Sequence, residues 1–432
     1  MKITVIGAGY VGLVTAACFA ELGNQVCCVE KEASKLRKLR QGISPIYEPG
    51  LEDILASNTA NQRLTFSSSI SHGVNYSQLI FICVGTPERD DGYTDLSQVE
   101  EVAREVAIHI TEYRLLVGKS TVPIRTHEWI ATTIRRYGKR GVPFDVACNP
   151  EFLREGSAVH DFMNPDRIVI GVTSIRAKEL LTELYANFDC PKVVTTPAAA
   201  ELIKHASNSF LALKISYINV VADICEKVGA DIKEVALGTG YDHRIGSDFL
   251  EAGIGYGGAC LSKDVKAFIS IAHELGIDFQ LLKETEAVNQ ARTSQFVDKV
   301  KRALPILKGK TIAMWGLSFK PNTDDIREAP SLRIIPELVT EGAKINAYDP
   351  AAIEPFKRVV PESENIRYKT DMYQALEGAS ALLIITEWDQ FKNADIKYMK
   401  SLMETPIVID GRNIYDFYTM RETGFEYYGV GK

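Results

Sequence analysis

Residues 7–12 read Gly-Ala-Gly-Tyr-Val-Gly, directly after the strand-like run Lys2–Ile6 and before an apolar helical run from Leu13 to Leu22. A G-x-G-x-x-G string alone marks only a turn. Placed between a strand and a helix, it marks the first turn of a doubly wound α/β unit that binds a dinucleotide. Each glycine has a task there: Gly7 permits the tight turn, Gly9 lets the backbone approach a pyrophosphate, and Gly12 lets helix and strand pack closely. The free N–H groups of the helix start, around Tyr10 and Val11, then face the phosphates. Glu30 ends the next strand at about the distance, roughly 20 residues, at which such a unit places an acid against the ribose. A carboxylate accepts from both ribose hydroxyls and repels a 2′-phosphate, so the expected cofactor is NAD and not NADP. Lys35, one turn into the following helix, is within reach of a ribose or phosphate, and equally reads as a solvated surface lysine.

Strand-like runs at 2–6, 25–30, 79–84, 115–120, 145–148 and 167–171 alternate with helical stretches. Alternation of this kind predicts parallel strands joined by helical crossovers. Thr196-Pro197 then opens a helical pattern that runs to Gly229, with Leu202, Ile203, Ala206, Phe210, Leu213 and Tyr217 recurring at helical spacing. A helix of about 30 residues is about 45 Å long, too long for one compact sheet layer. It is expected to join domains, and its spare apolar face to make a homodimer or a multiple of dimers. Beyond Lys308-Gly309-Lys310 the alternation resumes, at 311–315, 344–348, 382–386 and 407–410. Asp349 follows its strand there as Glu30 ends its own. The expected fold is α/β, with two Rossmann-like doubly wound domains joined by a central long-helix domain. The expected boundaries are 1–196 for dinucleotide binding, 197–304 for the central dimerising part, and 305–432 for the second α/β domain.

Bulk composition narrows the class without identifying it. At 432 residues, with 46% hydrophobic and 24% charged residues, the chain has room for two or three globular domains. No run approaches the roughly 18 apolar residues of a membrane helix. The N-terminus passes straight into a strand pattern, so no leader is expected. The eight cysteines lack metal-ligand spacing, which points to a reducing cytoplasm and to no metal. A net charge of −7 without a basic stripe argues against nucleic acid.

Residues 253–264, Gly-Ile-Gly-Tyr-Gly-Gly-Ala-Cys-Leu-Ser-Lys-Asp, carry the densest chemistry. Glycines including Gly257 make a loop that a ligand can approach closely. Cys260 precedes a helical run from 264 to 275, and a helix N-terminus with Lys263 nearby favours the thiolate, the nucleophilic form. Asp264, four residues on, shares its face. Lys204 and Asn208, also four apart, share a face of the long helix and suit an oxyanion or a substrate hydroxyl. Glu151 and Glu155, after the fifth strand, suit proton transfer or water positioning. Thr86 in Val-Gly-Thr-Pro and Thr121 in Lys-Ser-Thr-Val-Pro offer hydroxyls at strand ends, where open α/β sheets bind ligands.

Together these stretches, with NPEFLREG at 149–156, ELIKHASNSFLALKI at 201–215 and GLSFKPNTDDIREAPS at 316–331, resemble the UDP-glucose and GDP-mannose dehydrogenase family along essentially the whole chain, most closely its members acting on UDP-glucose. The resemblance implies an NAD domain, a dimerising helix and a domain binding a UDP-sugar. It implies oxidation at the sugar C6 to the uronate, by two hydride transfers through a covalent adduct on Cys260. Lys204 and Asn208 become oxyanion and substrate partners, and Asp264 a base or water orienter. Thr121 and Glu155 would hold a water, and Glu151 would assist proton transfer. Lys320, Arg412, Gly257 and the backbone of Phe152 and Leu153 would meet the UDP-sugar, and Arg244 the substrate of the neighbouring subunit. Thr86, Thr121, Glu155, Lys263 and Arg327 would border the cofactor. Leu261, Ser262, Arg125 and Val220 depart from the usual Phe, Pro, Gly and acid of the family, and none removes a catalytic group. Three other readings remain open: a different nucleotide sugar (a UDP-N-acetyl-hexosamine, TDP-glucose or GDP-mannose), a one-step hydroxy-acid dehydrogenase that would not need Cys260, and a non-catalytic nucleotide sensor.

Overall fold

The computed structural model describes residues 1–89 and 92–432. They form two compact units, Met1–Ser207 with Lys266–Ile277, and Asn208–Val265 with Asp278–Lys432.

The first unit is built on an eight-stranded sheet. Its strands are β1 (Lys2–Ile6), β2 (Gln25–Val29), β3 (Leu64–Ser67), β4 (Leu79–Ile82), β5 (Arg114–Gly118), β6 (Phe144–Cys148), β7 (Ile168–Gly171) and β8 (Lys192–Thr195). The spatial order is β3-β2-β1-β4-β5-β6-β7-β8. β1, β4 and β5 are buried over nearly their whole length, which is why they read as apolar runs. β3 and β8 lie at the edges with mixed burial, so no such run marks them. One expectation is corrected. β7 does not run parallel to β6 but meets it antiparallel, at Cys148↔Gly171, and then pairs parallel with β8. The chain between β6 and β7 is spent on the loop 149–157, and only Ala158–Met163 is helical, so no full crossover helix turns it back.

The helix Tyr10–Glu21 buries every residue from Gly12 to Ala20. Helix and sheet meet on Phe19, whose ring lies 5.2 Å from Phe81 and 5.1 Å edge-on to Phe162.

The second unit holds a six-stranded sheet of β9 (Thr311–Trp315), β10 (Lys344–Tyr348), β11 (Ile366–Tyr368), β12 (Ala381–Ile384), β13 (Ile407–Asp410) and β14 (Glu426–Tyr428). Its order is β11-β10-β9-β12-β13-β14, and all pairs are parallel. Both sheets therefore reverse direction of strand order beside their first strand, the place where doubly wound sheets bind ligands. The likeness extends to single residues. Gly7 donates to Val29 O at 2.8 Å, and Gly316 to Tyr348 O at 2.9 Å. The next amide, of Ala8 or Leu317, donates to the acid that follows the second strand, Glu30 or Asp349.

The long helix spans Pro197–Val228, about 48 Å at 1.5 Å per residue. Thr196 caps it, Oγ1 accepting from Ala199 N at 3.3 Å. Its residues up to Ser207 belong to the first unit and the rest to the second. Among the described residues no helix is long and apolar enough to cross a membrane.

Candidate active site

The glycine turn has the geometry its sequence suggests. Gly7 has φ 99° and a Cβ there would stand 2.7 Å from Cys83 O; one on Gly12 would stand 1.9 Å from Gly7 O. Larger residues are excluded by the protein itself. At Gly9, in contrast, a Cβ would meet nothing within 4 Å, so that side of the turn is open to a ligand. The helix starting at Tyr10 has no acid in its first turn, which leaves its N–H groups suited to an anion. Glu30 is buried and braces the turn: Oε2 accepts from Ala8 N at 3.2 Å and Oε1 from Glu32 N at 2.8 Å. A carboxylate has lone pairs left for ribose hydroxyls. These features fit a dinucleotide. Lys35 pairs with Glu32 at 2.9 Å on the surface. The Tyr10 hydroxyl accepts from Gly156 N at 2.9 Å, tying the turn to the loop after β6, while Val11 is half-buried.

The loops after β4, β5 and β6 are joined to one another. Thr86 Oγ1 donates to Thr121 O at 2.8 Å, and Ser120 Oγ to Val84 O at 2.6 Å. Glu151, buried, accepts from Lys204 Nζ at 2.9 Å and from Leu153 N at 2.7 Å. The Phe152 ring lies under the Arg167 guanidinium at 3.5 Å, with Lys204 Nζ at 5.5 Å. Glu155 is buried in the same loop. Thus the structure brings Thr86 to Thr121, and Glu151, Phe152 and Leu153 to Lys204. Lys204, however, gives its charge to a carboxylate.

Two further residues belong to this group. Lys119, fully buried, donates to Asn149 Oδ1 at 3.0 Å, and burial pulls its ammonium down to about 8, only partly offset by Cys83 and Glu151. Nothing in the sequence around Lys119 distinguishes a buried lysine from a solvated one. Glu201, near the start of the long helix, accepts from Arg125 N at 2.6 Å and His127 N at 3.1 Å. Arg125 stands at φ 72°, the left-handed region that favours glycine, which accounts for the glycine usual there.

In the second unit the glycine loop is held from several sides. Gly253 N donates to Asn219 Oδ1 at 2.8 Å, Tyr256 N to Asn289 Oδ1 at 2.8 Å, and Gly258 N to Arg327 O at 3.0 Å. A Cβ on Gly257 would fall 2.5 Å from Glu328 O. The next helix spans Ala259–Glu274, starting five residues earlier than the pattern from 264 suggested, because the glycine run ends at once in a helical turn. Cys260 is therefore already in the first turn, and it is exposed whereas the other cysteines are not. Asp264, one turn on, is 1% exposed. It accepts from Asn208 Nδ2 at 2.6 Å and lies 3.4 Å from Lys263 Nζ.

Arg412 is fixed by Gly255 O at 2.9 Å and Ile385 O at 2.8 Å, with Glu387 at 3.3 Å. Lys320 lies 5.6 Å from the Phe319 ring. Arg327 is paired with Asp325. Arg244 is not gathered with these groups: it is 79% exposed and its hydrogen bonds go to Asp242.

Three family descriptions match in order along the chain. They are the NAD binding domain of the UDP-glucose/GDP-mannose dehydrogenase family over residues 1–189, its central domain over 198–291, and its UDP binding domain over 313–417. The chain belongs to this family.

Its relatives agree along the full length. UDP-glucose 6-dehydrogenase TuaD of Bacillus subtilis is 45% identical over 431 residues, covering 100% of this chain and 93% of that protein. UDP-glucose 6-dehydrogenase YwqF of the same organism is 47% identical over 432 residues, covering 100% and 98%. Among solved structures, a UDP-glucose dehydrogenase from Pyrobaculum islandicum superposes with a TM-score of 0.92 at 39% identity, covering 100% of this chain and 97% of that one. For this UDP-glucose/GDP-mannose dehydrogenase NAD is the cofactor; the Gly7–Gly12 turn lies within the matched NAD binding domain, and strands β10–β13 lie within the matched UDP binding domain.

Proposed function

We propose that this enzyme oxidises UDP-glucose to UDP-glucuronate in two steps at C6, through a covalent adduct on Cys260. The observation that carries the reading is the first turn of the Ala259–Glu274 helix. An exposed thiol stands there, with a buried acid one turn on that holds Asn208.

NAD, held by the glycine turn and Glu30 with Thr86, Thr121, Glu155, Lys263 and Arg327 along its edge, supplies a hydride acceptor for each oxidation. The residues of the chain do the rest. Glu151, bonded to Lys204, assists removal of the C6 hydroxyl proton in the first oxidation. The Cys260 thiolate then adds to the aldehyde carbon, forming a C–S bond and an oxyanion met by the Lys204 ammonium and the Asn208 amide. The adduct again carries a C–H on the reacting carbon, and its oxidation leaves a thioester. Asp264, with Thr121 and Glu155, orients a water that attacks this thioester; the C–S bond breaks, Cys260 leaves as thiolate, and the carboxylate product departs. Gly257, Lys320, Arg412 and the backbone of Phe152 and Leu153 bind the UDP-sugar. In this reading residues 1–196 bind NAD, 197–304 carry the nucleophile and dimer contacts, and 305–432 bind the UDP-sugar.

The assembly is a cytoplasmic homodimer in which Arg244 reaches the neighbouring subunit's substrate. Phe210, Tyr217, Val220, Ile224 and Val228 support it, an exposed apolar stripe along the long helix. The decisive measurement is the number of NADH formed per UDP-glucose consumed. Two are expected; one would select the single-step reading. Faster turnover of UDP-N-acetylglucosamine, UDP-N-acetylmannosamine, TDP-glucose or GDP-mannose would move the substrate to that sugar.

A further inference from the structure

Three residues far apart in sequence meet in the first unit. His127 opens the helix after β5, Cys148 ends β6, and Glu201 lies near the start of the long helix, just past its first turn. Their separations from Glu201 are 74 and 53 residues, so no spacing motif could reveal them. His127 Nδ1 lies 3.2 Å from each Glu201 carboxylate oxygen, and Cys148 Sγ lies 3.5 Å from Oε1. All three ligating atoms fall within 4.8 Å of one another.

We propose that His127, Cys148 and Glu201 bind a single zinc-class cation. Bond lengths of about 2.0 Å to nitrogen or oxygen and 2.3 Å to sulfur place tetrahedral zinc ligands about 3.2–3.6 Å apart, the spacing His127 and Cys148 each already keep from Glu201. A thiolate, a carboxylate and a neutral imidazole around a dication leave no net charge, the condition under which such a group can be buried. One thiol and one carboxylate are the wrong set for calcium or magnesium, which take mainly oxygen ligands.

The surroundings are prepared as well. The Arg125 and His127 amides hold the carboxylate at 2.6 and 3.1 Å. Without a cation His127 Nδ1 donates to the Glu201 carboxylate; on binding, the ring proton moves to Nε2, which faces Glu128 Oε1 at 3.9 Å, and Nδ1 is freed as a ligand. A cavity of about 10 Å³ touches all three residues, room for one water-sized occupant at the fourth position. A second cavity runs from Cys148 and Glu201 to Thr121 and Lys204. The His127 side chain is 11% exposed and gives the entry path. On binding, the Cys148 thiol proton passes to solvent, and metal–ligand bonds replace the hydrogen bonds to Glu201.

The test uses Co²⁺ as a spectroscopic probe on the full-length Cys260→Ala protein, so that the exposed thiol cannot contribute. One equivalent should bind, with a thiolate-to-cobalt absorption band and the intense visible bands of a tetrahedral ion, and Zn²⁺ should displace it. Cys148→Ser should abolish the thiolate band. His127→Gln, which keeps Cys148, should weaken binding by about tenfold or more; circular dichroism would verify that both variants are folded. Absence of a band at large Co²⁺ excess, or a band unchanged in folded Cys148→Ser protein, overturns the site.

Discussion

The side-chain amide of Asn208 donates to Asp264 Oδ2 at 2.6 Å. The long helix thus gives its amide to the acid that stands one turn beyond Cys260. Asp264→Asn keeps an acceptor for Asn208 and removes only the charge. We expect kcat to fall by about 10²–10³-fold, the range for loss of a positioned acid or base, with KM for UDP-glucose changed much less. Mass spectrometry of quenched reactions should show the covalent acyl-enzyme accumulating, since hydrolysis is the step Asp264 serves. A change confined to KM would make Asp264 a binding group instead.

Glu30 has two tasks: bracing Ala8 and Glu32 through their amides, and meeting the ribose. Glu30→Ala should lower kcat/KM with NAD by about ten- to a hundredfold, the worth of one or two hydrogen bonds to a charged group. Kinetics with NADP should change little, so the ratio between the cofactors narrows. An equal loss with both would assign Glu30 to bracing alone.

The parts of the fold and site that the sequence disclosed are those where one residue type answers one physical need. Gly7 and Gly12 sit where a Cβ would strike backbone, and Cys260 and Asp264 fall a helical turn apart. What stayed hidden depends on neighbours remote in the chain. β7 turns antiparallel because of how the 149–157 loop is used, and no local pattern encodes that. Lys204 and Asn208 read as donors for a substrate, but each is already bonded to an acid, Glu151 or Asp264. Arg125 departs from the usual glycine, and only its φ of 72° shows what the glycine is for.

Lys119 makes stability depend on pH. Burial first, then the nearby Lys204, lowers its ammonium from 10.5 to about 8, against the opposing pull of Cys83 and Glu151. Between these values the unfolded chain binds a proton that the folded chain has released, so stability rises with pH across about 8 to 10.5. Below that window the buried charge costs its full penalty, roughly 3 kcal/mol at 1.36 kcal/mol per pH unit. Lys119→Met removes the titration. Its stability relative to wild type should be about 2 kcal/mol more favourable at pH 7 than at pH 9.5, read from urea unfolding at both. A difference independent of pH would mean that Lys119 is charged throughout.

The exposed apolar stripe on the long helix, with Phe210 61%, Ile224 55% and Val228 71% exposed, should be covered in solution by a second copy. Sedimentation of the wild-type protein at micromolar concentration should give a dimer or a multiple of it. Phe210→Glu with Ile224→Glu places charges on that face and should give monomers that keep their circular dichroism spectrum. If Arg244 acts across subunits, these monomers should also lose turnover. A wild-type monomer would remove the interface and the role of Arg244 together.

Cys260 decides the chemistry. Its exposure separates it from the other cysteines, seven thiols that are buried or half-buried, so removing it should cost function and little stability. Cys260→Ala should stop the second oxidation, because no thioester can form, and net turnover should fall by several powers of ten, as for other lost nucleophiles. Cys260→Ser separates the steps further. Its hydroxyl can still add to the aldehyde but leaves poorly, so incubation with UDP-glucose and NAD should trap an ester, heavier than the enzyme by one UDP-glucuronyl group. Both variants should unfold within about 1 kcal/mol of wild type, as expected for an exposed side chain. Retention of more than about a tenth of wild-type turnover by Cys260→Ala would exclude the covalent route and leave a one-step oxidation, with one NADH per sugar.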